Sequence, residues 1–74
     1  MAKFEVGKSY EPYAPEFDPI KVIRRTEKSI WVTNGDTTWM MRIWFDEYGN
    51  ECATDSKVPK KWREAFTYQS TYEV

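Results

Sequence analysis

The chain has no histidine, one cysteine and only three glycines among its 74 residues. Without histidine, the commonest zinc ligand and the usual proton-transfer side chain near neutral pH are both missing. Cys52 alone cannot close an intramolecular disulfide. Gly7, Gly35 and Gly49 lie too far apart to build a phosphate-cradling loop. No apolar run approaches the ~18–20 residues needed to span a bilayer. Met1–Ala2–Lys3–Phe4 runs straight into Glu5, with no signal-peptide apolar region. The expectation is a chain with no metal, no cofactor, no membrane anchor and no small-molecule substrate. A lone reduced thiol fits the cytoplasm.

What the chain does have is aromatic: four Trp, five Tyr and four Phe. A domain this short buries only about 60% of the surface its unfolded chain exposes. Large rings are the available remedy, each burying about 150–250 Å². The length allows one domain, residues 1–74.

Ser29–Phe45, SIWVTNGDTTWMMRIWF, is the densest stretch. Ile30 and Val32 alternate on one side of a strand, and Trp39, Met41, Ile43 and Phe45 on the returning one. An even number of loop residues puts these on a common face. Asn34–Gly35 as a two-residue type I′ turn satisfies that parity. Trp31, Met40, Arg42 and Trp44 then point the other way. A sheet that is apolar on both sides must cover both sides. Either Trp62 and Phe66, or Tyr68 and Tyr72, fold over this second face, or it is a contact surface. Trp, Met and Arg are enriched at interfaces. Trp31, Met40, Arg42 and Trp44 are therefore the candidate interaction residues, for a protein partner or a second copy.

The remaining elements are short. Ser9–Tyr13 is a strand that Pro12 would place at an edge. Pro12, Pro15 and Pro19 make Glu11–Pro19 an extended acidic loop. Ile20–Thr26 is a strand with Ile20 and Val22 on one face and Lys21, Ile23 and Arg25 on the other. Glu27–Lys28 and Asp46–Asn50 are turns, and Glu51–Thr54 is a short strand. Val58, Trp62, Ala65 and Phe66 share one face of a short helix, and Thr67–Val74 is a last strand. About five or six short strands point to a mainly β fold, a strongly bent antiparallel sheet or small barrel, with one short helix before the last strand. That order resembles SH3-like barrels. Val6–Gly7–Lys8–Ser9–Tyr10, Val22–Ile23–Arg24–Arg25–Thr26, Arg42–Ile43 and Gly49–Asn50–Glu51 are also similar to short uncharacterised proteins of bacteria and their phages. The resemblance implies a bacterial or phage origin and carries no function.

Charge is segregated along a chain with 11 bases, 12 acids and a net charge of −1. Lys21, Arg24, Arg25 and Lys28 form one basic segment, and Lys57, Lys60, Lys61 and Arg63 another. If folding joins them, nucleic-acid binding by a small barrel is the competing reading. The acids of Ser29–Ser56 keep a third reading open, a phage-type nuclease inhibitor with an acidic surface. Catalysis has little to draw on. A general base would have to be a carboxylate, Lys60, Lys61, a tyrosine or Cys52. Cys52 itself reads as a small buried hydrophobe, with an intermolecular disulfide or a redox thiol as the alternatives. Asp46–Glu51 is too short for an EF-hand calcium loop and reads as a hairpin turn. The chain is expected to be a non-enzymatic binding module.

Overall fold

The computed structural model describes residues 2–14 and 16–74; Met1, and Pro15 of the acidic loop, lie outside them. Six strands, β1 (Ser9–Pro12), β2 (Ile20–Arg25), β3 (Ser29–Thr33), β4 (Thr38–Phe45), β5 (Glu51–Thr54) and β6 (Thr67–Glu73), run antiparallel in sequence order. Pairing of β1 with β6 closes them into a barrel. In this arrangement the connections fall at alternate ends. One end, the mouth, carries the β1–β2, β3–β4 and β5–β6 connections. The other end, the base, carries the N-terminal segment and the turns at 26–28 and 46–50.

The interior follows from alternation. Tyr10, Ile20, Val22, Ile30, Val32, Met41, Ala53 and Tyr68 point inward and are buried, following the strand period of two, except that in β5 Glu51 and Cys52 are buried beside Ala53. Trp39 and Ile43 are partly buried against this core. Phe45, grouped with them by alternation, lies past its end and is 61% exposed.

The β3–β4 register pairs Ile30 with Met41 and Val32 with Trp39, so the even parity holds. The tip is not an Asn34–Gly35 type I′ turn. That turn needs positive φ at both residues, and Gly35 alone has it, at 101°. Asn34 instead accepts the Asp36 and Thr37 N–H groups on its side-chain oxygen at 3.0 and 2.9 Å. The tip moves one residue onward, and the register slips by two without exchanging faces.

Three further expectations change. The helix drawn over Val58–Phe66 is only a 3-10 turn, Lys60–Trp62, with no buried residue. Pro12 sits beyond β1's pairing with β2, next to a register shift against β6, where its missing N–H removes no ladder bond. In β2 the register shifts between Val22 and Arg24. This bulge at Ile23 turns Arg25 from the outer face to the inner one, paired with Ile30.

There Arg25 closes the base of the barrel. Its guanidinium meets the Glu51 carboxylate through Nη1–Oε1 at 2.7 Å and Nη2–Oε2 at 2.9 Å, and Nη1 also donates to the Phe4 carbonyl at 2.7 Å. Glu51 in turn accepts the Phe4 N–H at 2.8 Å. Phe4 thereby drops its ring into the base, edge-on to Tyr10 at 4.9 Å. Burial pulls the Glu51 carboxyl up, but the Arg25 fork and the Phe4 N–H outweigh it and hold it below the usual range.

Candidate functional site

The outer faces of β3 and β4 carry the four candidate interaction residues in three rows. Arg24, Trp31 and Met40 lie side by side across β2, β3 and β4. The Arg24 guanidinium sits 4.5 Å from the centre of the Trp31 ring, a cation–π contact that covers one indole face. Arg42 is opposite Ser29. Trp44 belongs to a third row, beside Cys52 and, beyond it, Gln69. The four residues are thus distributed along a strongly curved strip.

Trp44 is held by its neighbours. Its indole N–H donates to Thr54 Oγ1 at 3.2 Å. Thr54 Oγ1 lies 2.9 Å from Thr67 Oγ1, which donates its one hydrogen to the Arg63 carbonyl at 2.7 Å. Proton counting therefore makes Thr54 the donor to Thr67. The relay from indole to carbonyl orients the ring while 45% of Trp44 stays exposed. Beneath it Cys52 is fully buried. Burial pushes its thiol up, and the Asp46 charge adds to that, so the sulfur is a protonated small hydrophobe at neutral pH.

None of the four residues proposed as cover lies over this face. Phe66 stacks on Phe17 at 4.5 Å. Tyr68 is a core residue. Tyr72 alternates with the buried Tyr68 and Ser70 and so lies on the inner side of β6. Trp62 is 51% exposed and lines a concavity with Tyr13 and Ala14. Trp44 instead stands between two open concavities. One, about 480 Å³, is shared with Phe45, Tyr48 and Gln69. The other, about 320 Å³, is shared with Tyr13, Glu64 and Gln69. Tyr13 and Glu64 continue into the concavity that holds Trp62. Exposed aromatics thus run from Tyr48 at the base, through Phe45 and Trp44, to Tyr13 and Trp62 near the mouth. Phe45, Tyr48, Tyr13 and Trp62 were not candidates from sequence. Tyr48 in a turn was the available signal, because a ring there has no strand face to bury it.

The charged candidates are dispersed. Arg25 and Lys28 lie at the base, while Lys57, Lys60, Lys61 and Arg63 lie on the β5–β6 connection at the mouth. Lys21 and Arg24 are on β2, across the barrel from β5 in the strand order. Arg25 is engaged with Glu51. Arg63 donates to the Val58 and Ser56 carbonyls, both at 3.4 Å. The two basic segments do not form one patch. The acids of Ser29–Ser56 separate too: Asp36 and Asp55 at the mouth, Asp46 and Glu47 at the base, and Glu51 buried. In Asp46–Glu51 the Asp46 side chain accepts the Tyr48 and Asn50 N–H groups, both at 2.9 Å, and Gly49 takes a φ of 81°, the geometry of a turn. Among the described residues, no three His, Cys, Asp or Glu side chains converge as metal ligands.

At the mouth, Tyr68 is 4% exposed. Burial, with the Asp55 and Asp18 charges behind it, pushes its phenol up to about 12. An unfolded chain releases this proton near 10. The folded state therefore keeps full stability below pH ~10 and loses up to about 1.4 kcal/mol per pH unit between there and 12. Chemical unfolding at pH 9 and 11 is expected to show this slope, and Tyr68→Phe to flatten it; equal slopes in the two proteins would contradict the assignment.

Among the described residues, no helix is long and apolar enough to cross a membrane. No protein-family model, characterised protein or solved structure matches the chain.

Proposed function

We propose that this chain is a non-enzymatic binding module that docks a protein partner on its outer aromatic surface, with Trp44 as the central anchor. The observation that carries this reading is the Trp44 indole, oriented by Thr54 yet 45% exposed between two concavities. Interface energy concentrates in a few well-packed aromatic and arginine anchors, and an anchor already held in place loses less freedom on binding. Phe45 and Tyr48 extend the surface on one side, Tyr13 and Trp62 on the other. Trp31, Met40 and Arg42 continue it along β3 and β4. Asp46, Glu47 and Glu64 line the same concavities, which favours a partner face that is apolar with a basic rim. The proposal includes an SH3-like kinship, a bacterial or phage origin and work in a reducing cytoplasm. Its support there is the strand order, the short motifs and the one buried thiol.

The test starts with partners recovered from cells, each then purified and titrated. Trp44→Ala is expected to weaken a true partner at least about 30-fold, with the thermal midpoint little changed because Trp44 lies outside the core. Light scattering assigns a self-associating sample to a second copy. Undiminished affinity of Trp44→Ala for every partner would overturn the proposal. So would co-purifying nucleic acid that about 0.5 M salt removes.

A further inference from the structure

β4 is eight residues long, but its neighbour β5 has only four and pairs with it only at Ile43, Trp44 and Phe45. The register says which backbone groups this leaves open. Asn34 N–H bonds to the Thr37 carbonyl and Ile43 N–H to the Lys28 carbonyl. Bonded pairs alternate along an antiparallel ladder, so Trp39, Met41 and Ile43 direct their backbone groups toward β3. Thr38 and Met40 direct theirs the opposite way, toward the space that a longer β5 would fill. Beyond Thr54 the chain leaves the sheet for the β5–β6 connection. Among the described residues, no strand pairing or other hydrogen bond reaches the Thr38 and Met40 backbone on that side. The short β1–β2 seam is different: Val22 bonds to Gly7 and Lys8 there.

The opening leads into the mouth. Two adjoining cavities, each about 240 Å³, share Asn34, Trp39 and Asp55. The outer one adds Lys57, and the inner one adds Asp18 and Tyr68. Asp18 and Asp55 take part in no ion pair among the described residues. Each cavity is smaller than the ~300–1,000 Å³ of a drug-sized ligand site and suits a single side chain.

We propose that the open edge of β4 at Thr38–Met41 is a strand-docking site, where an extended segment of a partner protein adds beside β4 and sends one Arg or Lys side chain into the mouth toward Asp18 and Asp55. Thr38–Met41 spans about 13 Å at ~3.3 Å per residue. That length gives an added strand the Thr38 and Met40 backbone groups as partners, the usual basis of strand addition. Side chains alternate across a sheet, so the added residue beside Trp39 shares its inward direction and enters the cavity. Two unpaired carboxylates facing one lysine select a basic side chain there and repel an acidic one. The site does not depend on the aromatic surface, which centres on the other half of β4.

Amide exchange of the free protein is the first measurement. Met40 is expected to exchange at least about 100-fold faster than Trp39 and Met41. Next, random hexapeptides with Arg fixed at the third position are compared with the same set bearing Glu. Only the Arg set is expected to bind below about 1 mM, shifting backbone resonances of Thr38–Arg42 and Asp55. The Asp18→Asn/Asp55→Asn pair should weaken that binding at least tenfold while leaving the exchange pattern intact. Met40→Pro, which removes the outward N–H and fixes the local φ without touching a bond to β3, should abolish it. A protected Met40 amide, equal binding of the two sets, no binding by the Arg set, or indifference to the Asn pair would each overturn the proposal. Shifts confined to Trp44 and Tyr48 would overturn it while leaving the aromatic surface standing.

Discussion

Arg25→Ala is expected to cost about 3–5 kcal/mol, because it leaves the Glu51 carboxylate buried without its counter-charge. The Glu51 side chain is 4% exposed and that of Arg25 22%, so the fork is made largely out of contact with water. A chain of this length holds only ~4–11 kcal/mol in total. The variant should therefore be marginally folded at neutral pH. Its pH dependence should also reverse. In the parent, Glu51 titrates lower when folded than when unfolded. The stability from this group is present above the ordinary carboxylate pKa and is lost as pH falls through the folded value. Without Arg25, burial remains the largest influence on Glu51, opposed only by the Phe4 N–H and the Lys3 charge, and its folded pKa rises. Acidification from pH 7 toward 4 should then stabilise Arg25→Ala while destabilising the parent. Arg25→Lys keeps the charge but loses the two-pronged geometry, and should recover only part of the difference. Denaturant titrations across that pH range decide the matter. A loss under 1 kcal/mol at pH 7, or parallel pH profiles, would show that the pair does not hold the base.

Phe4→Ala should cost a comparable ~3–5 kcal/mol, the usual range for emptying a buried aromatic site. Phe4 belongs to no strand, yet it is 1% exposed and packs on Tyr10. Residues 2–4 are tied down by Ala2 N–H on Asn50 Oδ1 at 2.8 Å, Glu51 N–H on the Ala2 carbonyl at 3.0 Å and Phe4 N–H on Glu51. Phe4→Leu should lose less than half as much, since most of the volume is kept. The Phe4→Ala/Arg25→Ala double variant should lose clearly less than the two single losses together, because both act on one network. A shift in denaturant midpoint with an unchanged slope would place the effect on stability. Loss below 1 kcal/mol would mean the ring is not part of the core.

These two residues also mark what sequence reading missed. Strict alternation puts Arg25 on the outer, basic surface, and one bulge at Ile23 reverses that. A bulge has no dependable sequence mark here, since Val22–Ile23–Arg24–Arg25 fits a regular strand equally well. Phe4 was a brief apolar start cut off by Gly7, and its partner Glu51 lies 47 residues away. The candidate surface was half visible. Trp31, Met40 and Trp44 follow from hairpin parity, whereas Tyr13, Trp62 and the mouth cavities arise from loops that meet only after the barrel closes.

What the chain determined locally is the strand pattern and the sorting of the β3–β4 hairpin into an inner and an outer face. Both rest on alternation and on a turn with one positive-φ glycine, interactions that span a few residues. What only the tertiary structure decided is the Arg25–Glu51 closure, the aromatic strip around Trp44 and the half of β4 left without a neighbour. Each depends on where distant segments end relative to one another, and that is set when six strands share one core.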